Sequence, residues 1–242
     1  MSVDFIFPPP ACPSVALAQD ARRFPVRRIF CVGLNYAAHA SEMRKAQGQG
    51  QDGRQGEGQD AAPFFFAKPA DAVVASGRAI PYPSATHNLH HEIELVAALG
   101  RGGADISADD ALAHVFGYAA GVDLTRRDLQ AAARTAGLPW DMSKGFDHSA
   151  PIGAIRPASE IGHPARGRIA LSVNGRSRQQ GDLSDMILDV AEIIAALSRF
   201  VALAPGDLIF TGTPAGVGPL LPGDLVEGEV EGVGGVSVTI EK

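Results

Sequence analysis

Two glutamates one residue apart in an apolar segment carry the most chemical content in this sequence. Leu89-His90-His91-Glu92-Ile93-Glu94-Leu95-Val96-Ala97 alternates as a half-buried strand does, with Leu89, Ile93, Leu95 and Ala97 on one face. Glu92 and Glu94 then project together from the other face, where neighbouring carboxylates repel unless a proton or a cation sits between them. A metal ion is the simplest such cation, although two ordinary glutamates on a solvated face fit this motif equally well. A second acid adds to the metal reading. Tyr118-Ala119-Ala120-Gly121-Val122-Asp123-Leu124 has the composition of a buried strand ending in a carboxylate, and a buried Asp is rare without a partner. Glu92, Glu94 and Asp123, with no Cys or His cage beside them, suit a hard ion such as Mg²⁺ or Mn²⁺, which takes oxygen ligands and keeps positions open for water and substrate. Asp123 also reads as an N-cap ahead of the helix expected after Thr125, and the two roles are compatible.

Other residues could complete an acid–base site. His39 and Glu42 are three apart, so on a helix they share a face and the carboxylate can orient the imidazole to activate a water; a surface His beside a surface Glu is the plainer reading of the pair. Positive charge for an anionic intermediate is available in Arg126 and Arg127, and in Lys144 within Trp140-Asp141-Met142-Ser143-Lys144-Gly145-Phe146-Asp147, where aromatics could bury an otherwise solvated ammonium. Thr211-Gly212-Thr213-Pro214-Ala215-Gly216-Val217-Gly218 is a small-residue loop whose backbone N–H groups can approach an anion. It lacks the Gly-Lys-Ser/Thr ending of a nucleotide loop, which argues against ATP.

These side chains have to be positioned by short elements. Arg27 to Gly33 reads as a buried strand running into a short helix around His39, whereas Gln47 to Asp60, rich in Gln and Gly, reads as a mobile loop. Three further helices are expected: Ala111 to Phe116 after Ser107; a helix opened by a capping box of Thr125 and Asp128 and running to Ala136; and one from about Asp185 to Phe200 with Ile187, Val190, Ile194 and Leu197 on one face. The second half is otherwise short strands punctuated by Gly and Pro, with Asn174-Gly175 as a hairpin signal. The pattern predicts an α+β, mainly β architecture rather than a doubly wound sheet.

Composition limits the function classes. A chain of 242 residues with 45% apolar residues supports one real core. The expected division is an N-terminal extended arm over residues 1–26, Pro-rich at its start, and one catalytic domain over residues 27–242. A formal charge of −6 disfavours nucleic acid and anionic membranes as partners. With two cysteines, Cys12 and Cys31, and no long apolar run, the chain reads as a cytoplasmic protein with an inert, buried Cys31.

In order along the chain, several motifs resemble the fumarylacetoacetate hydrolase family: Val32-Gly33-Leu34-Asn35-Tyr36 with His39 and Glu42, Phe66-Ala67-Lys68-Pro69, His91-Glu92-Ile93-Glu94-Leu95, Gly121-Val122-Asp123-Leu124-Thr125, Ser143-Lys144-Gly145-Phe146-Asp147, and Pro205-Gly206-Asp207 leading into Thr211-Gly212-Thr213-Pro214. The resemblance implies a rolled mixed β-sandwich with peripheral helices, usually a homodimer, and Mg²⁺ or Mn²⁺ on Glu92, Glu94 and Asp123. It implies that His39 and Glu42 are the water-activating pair of a lid, that Lys144 lies near the developing charge, and that Arg127, Gln130 and Thr213 contact a keto acid. Within the family, Phe24-Pro25-Val26-Arg27-Arg28 and Thr125-Arg126-Arg127-Asp128-Leu129-Gln130 are similar to short bacterial acylpyruvate hydrolases of aromatic-compound degradation. That similarity implies fumarylpyruvate as substrate, with Arg44 or Lys45 as the cation for its distal carboxylate. Decarboxylation of oxaloacetate or enol–keto isomerisation of a 2-oxo acid would use the same metal site.

Overall fold

The structure is a computed structural model that describes residues 5–45 and 64–242. The loop expected at Gln47 to Asp60 lies outside the described residues. Around the acidic motif the chain builds a large curled mixed sheet. Its strands run in the order Phe64–Lys68, Arg28–Gly33, Asp207–Phe210, Ile93–Leu99, Val115–Val122, Ala150–Ile152 and Val73–Ala75, with Arg156–Pro157 also paired to Val115–Val122. Asp207–Phe210 runs parallel to Arg28–Gly33 and antiparallel to Ile93–Leu99. A second sheet has the order Arg176–Asp182, Arg168–Val173, Leu225–Val230, Gly234–Glu241 and Arg78–Pro81.

The half-buried strand expected at the glutamates is corrected by this arrangement. Every residue of Ile93–Leu99 is buried. Ile93, Leu95, Ala97 and Leu99 face a cluster shared with Leu171, Val226 and Val238 of the second sheet and Ile193, Ile194 and Leu197 of a helix. Val96 and Ala98 face a second cluster with Val15, Phe24, Leu208 and Phe210. A strand in mid-sheet, covered on both sides, carries apolar residues at both parities. Each fully buried Ile or Leu contributes roughly 1.5–3 kcal/mol, so the strand that carries Glu94 is anchored on both faces. Part of the second covering layer comes from the N-terminal segment, where Ser14–Leu17 and Asp20–Pro25 pair as an antiparallel hairpin.

Local signals explain several elements. Asn174 and Gly175, at φ 52° and 72°, make the expected tight turn between Arg168–Val173 and Arg176–Asp182. The helix after Asp123 spans Arg127–Thr135, but the expected capping box does not form, because tertiary partners take both of its side chains. Thr86 Oγ1 donates to Asp128 Oδ1 at 2.5 Å, and the Thr125 hydroxyl donates to Glu92 Oε1 at 3.3 Å. The last helix is Val190–Ser198, shorter than expected, because a reciprocal capping box of Asp189 and Glu192 fixes its start. Ile187 therefore lies outside it and is 54% exposed. Among the described residues, no helix is long and apolar enough to cross a membrane.

Candidate active site

Glu92, Glu94 and Asp123 come together because the chain turns a corner between them. Leu89–His91 belongs to a small sheet with Thr125–Arg126 and Gly218–Leu220, whereas Ile93–Leu99 belongs to the large one, so Glu92 sits where the chain changes sheets. Ile93 pairs with Val122 on the neighbouring antiparallel strand, which sets Asp123 beside Glu92 and Glu94. The Asp123 N–H donates to the Glu92 carbonyl at 2.8 Å and closes the corner. One oxygen from each of the three buried carboxylates lies within 4.8 Å of the others.

The electrostatics of this cluster are unbalanced in an informative way. Lys144 Nζ donates to Glu92 Oε2 at 2.9 Å and to Asp123 Oδ2 at 2.7 Å, and Arg127 donates to Glu92 Oε1. Burial works against the Glu92 carboxylate, but Lys144 and Arg127 together hold its pKa well below the usual range. Burial also opposes the Lys144 ammonium, yet Asp123 and Glu92 raise its pKa. Glu94 has no cation in ion-pair contact among the described residues. Burial first, then the charges of Asp123 and Glu92, push its carboxyl well above its ordinary value, and the more distant Lys144 charge and the Gly212 N–H at 2.7 Å offset this only in part. Lys68 Nζ donates to the carbonyls of Leu124 and Lys144 and pairs with Asp123 Oδ1 at 2.8 Å, so Asp123 is held between two buried lysines. Three buried carboxylates whose oxygens lie within 4.8 Å of one another, one of them raised by the charges of the other two, fit a hard divalent cation held by these three residues.

The acid–base pair faces the same space. His39 and Glu42 lie on the helix Ala37–Lys45, with His39 Nδ1 3.3 Å from Glu42 Oε2, and His39 is only 5% exposed. Glu42 also accepts the Gly216 N–H at 3.1 Å. The hydrogen bond from His39 lowers the Glu42 pKa most, burial opposes it, and the Gly216 amide adds to the lowering. The glycine-rich loop therefore does bring N–H groups to anions, and those anions are the protein's own: Gly212 serves Glu94 and Gly216 serves Glu42. Both glycines have φ +97°, and a Cβ on Gly216 would lie 2.2 Å from the Arg178 carbonyl oxygen.

One cavity is lined by His39, Glu92, Glu94, Arg127, Gln130, Lys144 and Thr213, while Asp123 and Glu42 stand behind Glu92 and His39 without lining it. Lys144, buried as the aromatic-rich segment suggested, ends the short helix Asp141–Lys144 and lies 5.1 Å from the Phe66 ring centroid. Arg127 Nη1 donates to Gln130 Oε1 at 2.5 Å, which locks the two together one turn apart. Arg44 and Lys45 occupy the last turn of the helix that carries His39. Cys31 is buried, and burial pushes its thiol well up, as an inert core residue requires.

Three residues near the site were given no role in the sequence reading. Lys68 ends the run Phe64-Phe65-Phe66-Ala67-Lys68, and a lysine in so apolar a strand is a usable signal for a buried, paired charge. Arg134 lies seven residues after Arg127, hence on the same helix face, and opens onto both this cavity and a wider adjoining one lined by Asn88, His90 and Glu42. Gln179 sits in a strand of mostly exposed polar residues, and nothing in the pattern marks it as buried.

Such a fold, with a buried acidic triad facing a His–Glu pair, defines a metal-dependent enzyme of the fumarylacetoacetate hydrolase type. The chain belongs to that family: residues 28–241 match the family described as Fumarylacetoacetate (FAA) hydrolase C-terminal. It is similar to a fumarylpyruvate hydrolase from a Ralstonia species, 45% identical over 177 residues that cover 73% of this chain and 92% of that one. It is also similar to the mouse mitochondrial oxaloacetate tautomerase FAHD1, 40% identical over 86% of this chain and 88% of that protein. A crystal structure of fumarylpyruvate hydrolase from Pseudomonas aeruginosa in complex with Mn²⁺ and pyruvate superposes with a TM-score of 0.90 at 49% identity, covering 98% of this chain and 99% of that one.

Proposed function

We propose that the enzyme hydrolyses the C3–C4 bond of a 2,4-dioxo acid, with fumarylpyruvate, cleaved to fumarate and pyruvate in aromatic-compound degradation, as its substrate. The observation that carries this reading is that His39, backed by Glu42, opens onto the same cavity as Glu92 and Glu94 of the acidic triad, since hydrolysis alone among the candidate reactions needs both the base and the metal. Glu92, Glu94 and Asp123 would hold Mg²⁺ or Mn²⁺, whose Lewis acidity polarises the carboxylate and 2-oxo end of the keto acid. Arg127, Gln130 and Thr213 orient that end. His39, with Nδ1 turned to Glu42, keeps Nε2 to take a proton from water. The hydroxide adds to the 4-carbonyl, and on collapse the C3–C4 electron pair passes to the pyruvate fragment as an enolate. Lys144 places its charge beside this developing anion, and protonation at C3 releases pyruvate. A cytoplasmic homodimer acting on a small-molecule keto acid completes the reading, and residues 27–242 are its catalytic domain.

Arg134 supports an acidic acyl group. It makes no ion pair among the described residues. Beside it, His90 is pushed down to about 4, by burial first and then by Arg127, and so is neutral at pH 7. Arg134→Ala is therefore expected to raise KM for fumarylpyruvate about tenfold or more while moving KM for acetylpyruvate little, since a charged hydrogen bond is worth roughly 1.5–3 kcal/mol. The pair Arg44→Ala and Lys45→Ala is measured beside it, and equal effects on both substrates would remove the cation assigned to the distal carboxylate.

The second reading, enol–keto isomerisation or decarboxylation of oxaloacetate, is favoured by the likeness to the mouse tautomerase. Turnover of synthetic fumarylpyruvate, acetylpyruvate and oxaloacetate with Mn²⁺ and after EDTA, followed by enol absorbance, separates the two. Rapid metal-dependent cleavage of fumarylpyruvate supports the hydrolase; turnover of oxaloacetate alone supports the second reading.

A further inference from the structure

We infer that Gln179 is a positioning residue that fixes the Thr213 hydroxyl as a hydrogen-bond donor to the bound keto acid. The inference rests on the reading of the cavity as a keto-acid site. Gln179 is 1% exposed, and its side chain leaves the strand Arg176–Asp182 to reach both the corner that carries Glu92 and the loop that carries Thr213. Its Oε1 accepts the Ile93 N–H at 3.1 Å and lies 2.9 Å from His91 Nδ1. Its Nε2 donates to the Pro214 carbonyl at 2.9 Å and to Thr213 Oγ1 at 2.8 Å.

The direction of these bonds follows from their partners. A backbone N–H only donates and a backbone carbonyl only accepts, so the Ile93 and Pro214 main chains together fix which end of the amide is oxygen. A flipped amide would set donor against donor at Ile93 and acceptor against acceptor at Pro214. Thr213 Oγ1 therefore accepts from Gln179, and its own proton is left to point elsewhere. Thr213 is 2% exposed and lines the cavity with Glu94 and Lys144, and its hydroxyl makes no other hydrogen bond among the described residues. A buried hydroxyl whose acceptor side is occupied is a donor of fixed aim, suited to an anionic oxygen of the ligand. The same strand also seats the loop: a Cβ on Gly181 would lie 2.8 Å from Pro214 Cβ, and Gly216 abuts the Arg178 carbonyl.

The test measures pyruvate binding to the Mn²⁺-loaded protein by calorimetry, with Mn²⁺ affinity measured separately. Gln179→Glu keeps the bond to Ile93, loses the one to the Pro214 carbonyl and offers Thr213 an acceptor, so the hydroxyl turns toward residue 179 and away from the ligand. It is expected to raise the pyruvate Kd about tenfold, as Thr213→Val does, with Mn²⁺ affinity unchanged. In the Thr213→Val background, Gln179→Glu is expected to cost nothing more. Should the buried charge prevent folding, Gln179→Met, neutral and of similar length, is expected to weaken pyruvate binding a few-fold, again only while residue 213 is threonine. Additive losses, or a parallel loss of Mn²⁺ affinity, would overturn the positioning role and leave the keto-acid reading standing. Failure of the native Mn²⁺ protein to bind pyruvate at all would overturn both.

Discussion

Glu94→Gln is expected to make the metal-free protein more stable at neutral pH while lowering kcat/KM for acylpyruvates roughly 10³-fold, the several kcal/mol a Lewis-acid ion supplies. The opposite signs follow from the environment of Glu94. Burial, Asp123 and Glu92 raise its carboxyl pKa in the folded state, and the Gly212 N–H is its hydrogen-bond donor. A raised folded-state value means that, between the unfolded and folded pKa, the fold binds more protons than the unfolded chain, so stability falls as pH rises through that window. The cost is absent below the ordinary glutamate value of about 4.3 and present above it. Glutamine removes the charge and keeps an oxygen for Gly212, so the variant escapes the cost. At pH 7 the metal-free variant should melt above the metal-free native protein, and the gap should close as pH falls through the carboxylate range.

With Mn²⁺ the order reverses. Ion at about 100 times its Kd stabilises the native protein by roughly 2.7 kcal/mol, or about 5–10 °C for a chain of this size. Glu94→Gln should lose most of that rise, because a neutral amide replaces one of the three carboxylates proposed to hold the ion. Melting curves with and without EDTA, at pH 4 and pH 7, read all four states. An unchanged Mn²⁺ shift in the variant would take Glu94 out of the metal site.

His39→Ala is expected to cut hydrolysis of fumarylpyruvate by about 10²–10⁴-fold and to leave any turnover of oxaloacetate within a few-fold of native. The asymmetry comes from what each reaction asks of the cavity. Cleaving C3–C4 needs a base to make hydroxide, and His39, held by Glu42 at 3.3 Å with Glu42 itself tied to Gly216, is the group arranged for it. Stabilising an enolate needs only the cations, and Lys144 and the triad are untouched by the substitution. Glu42→Gln should follow His39→Ala less severely, since an amide can still accept the Nδ1–H. Equal loss of both reactions would mean that His39 moves protons in the enolisation as well, and the division of labour between the pair and the triad would fall.

The local geometry of the candidate site was legible in the sequence where it depends on short spacings. An i, i+3 spacing on a helix brings His39 to Glu42, and a dipeptide such as Asn174-Gly175 turns a hairpin by its own backbone preference. The two glutamates and Asp123 stood out because carboxylates in apolar runs need partners. Where the expectations failed, tertiary competitors won: Thr125 and Asp128 gave up a local cap for Glu92 and Thr86. The supposed half-buried strand lost its solvent face to a covering layer supplied partly by the N-terminal hairpin.

What only the fold decided is everything that joins distant segments. The register of Ile93 against Val122 places Asp123 beside the glutamates, the loop at Gly212 and Gly216 carries its amides to Glu94 and Glu42, and Lys68 reaches the triad from the edge of the large sheet. Gln179 is the extreme case: its strand is polar on paper, and its burial arises where the second sheet packs against the corner at Glu92. The sequence by itself determined which residues carry charge and which local turns and helices present them. Their mutual distances, burial and hydrogen-bond directions are long-range quantities, set by strand pairing and by how two sheets close on one another, which no local pattern encodes.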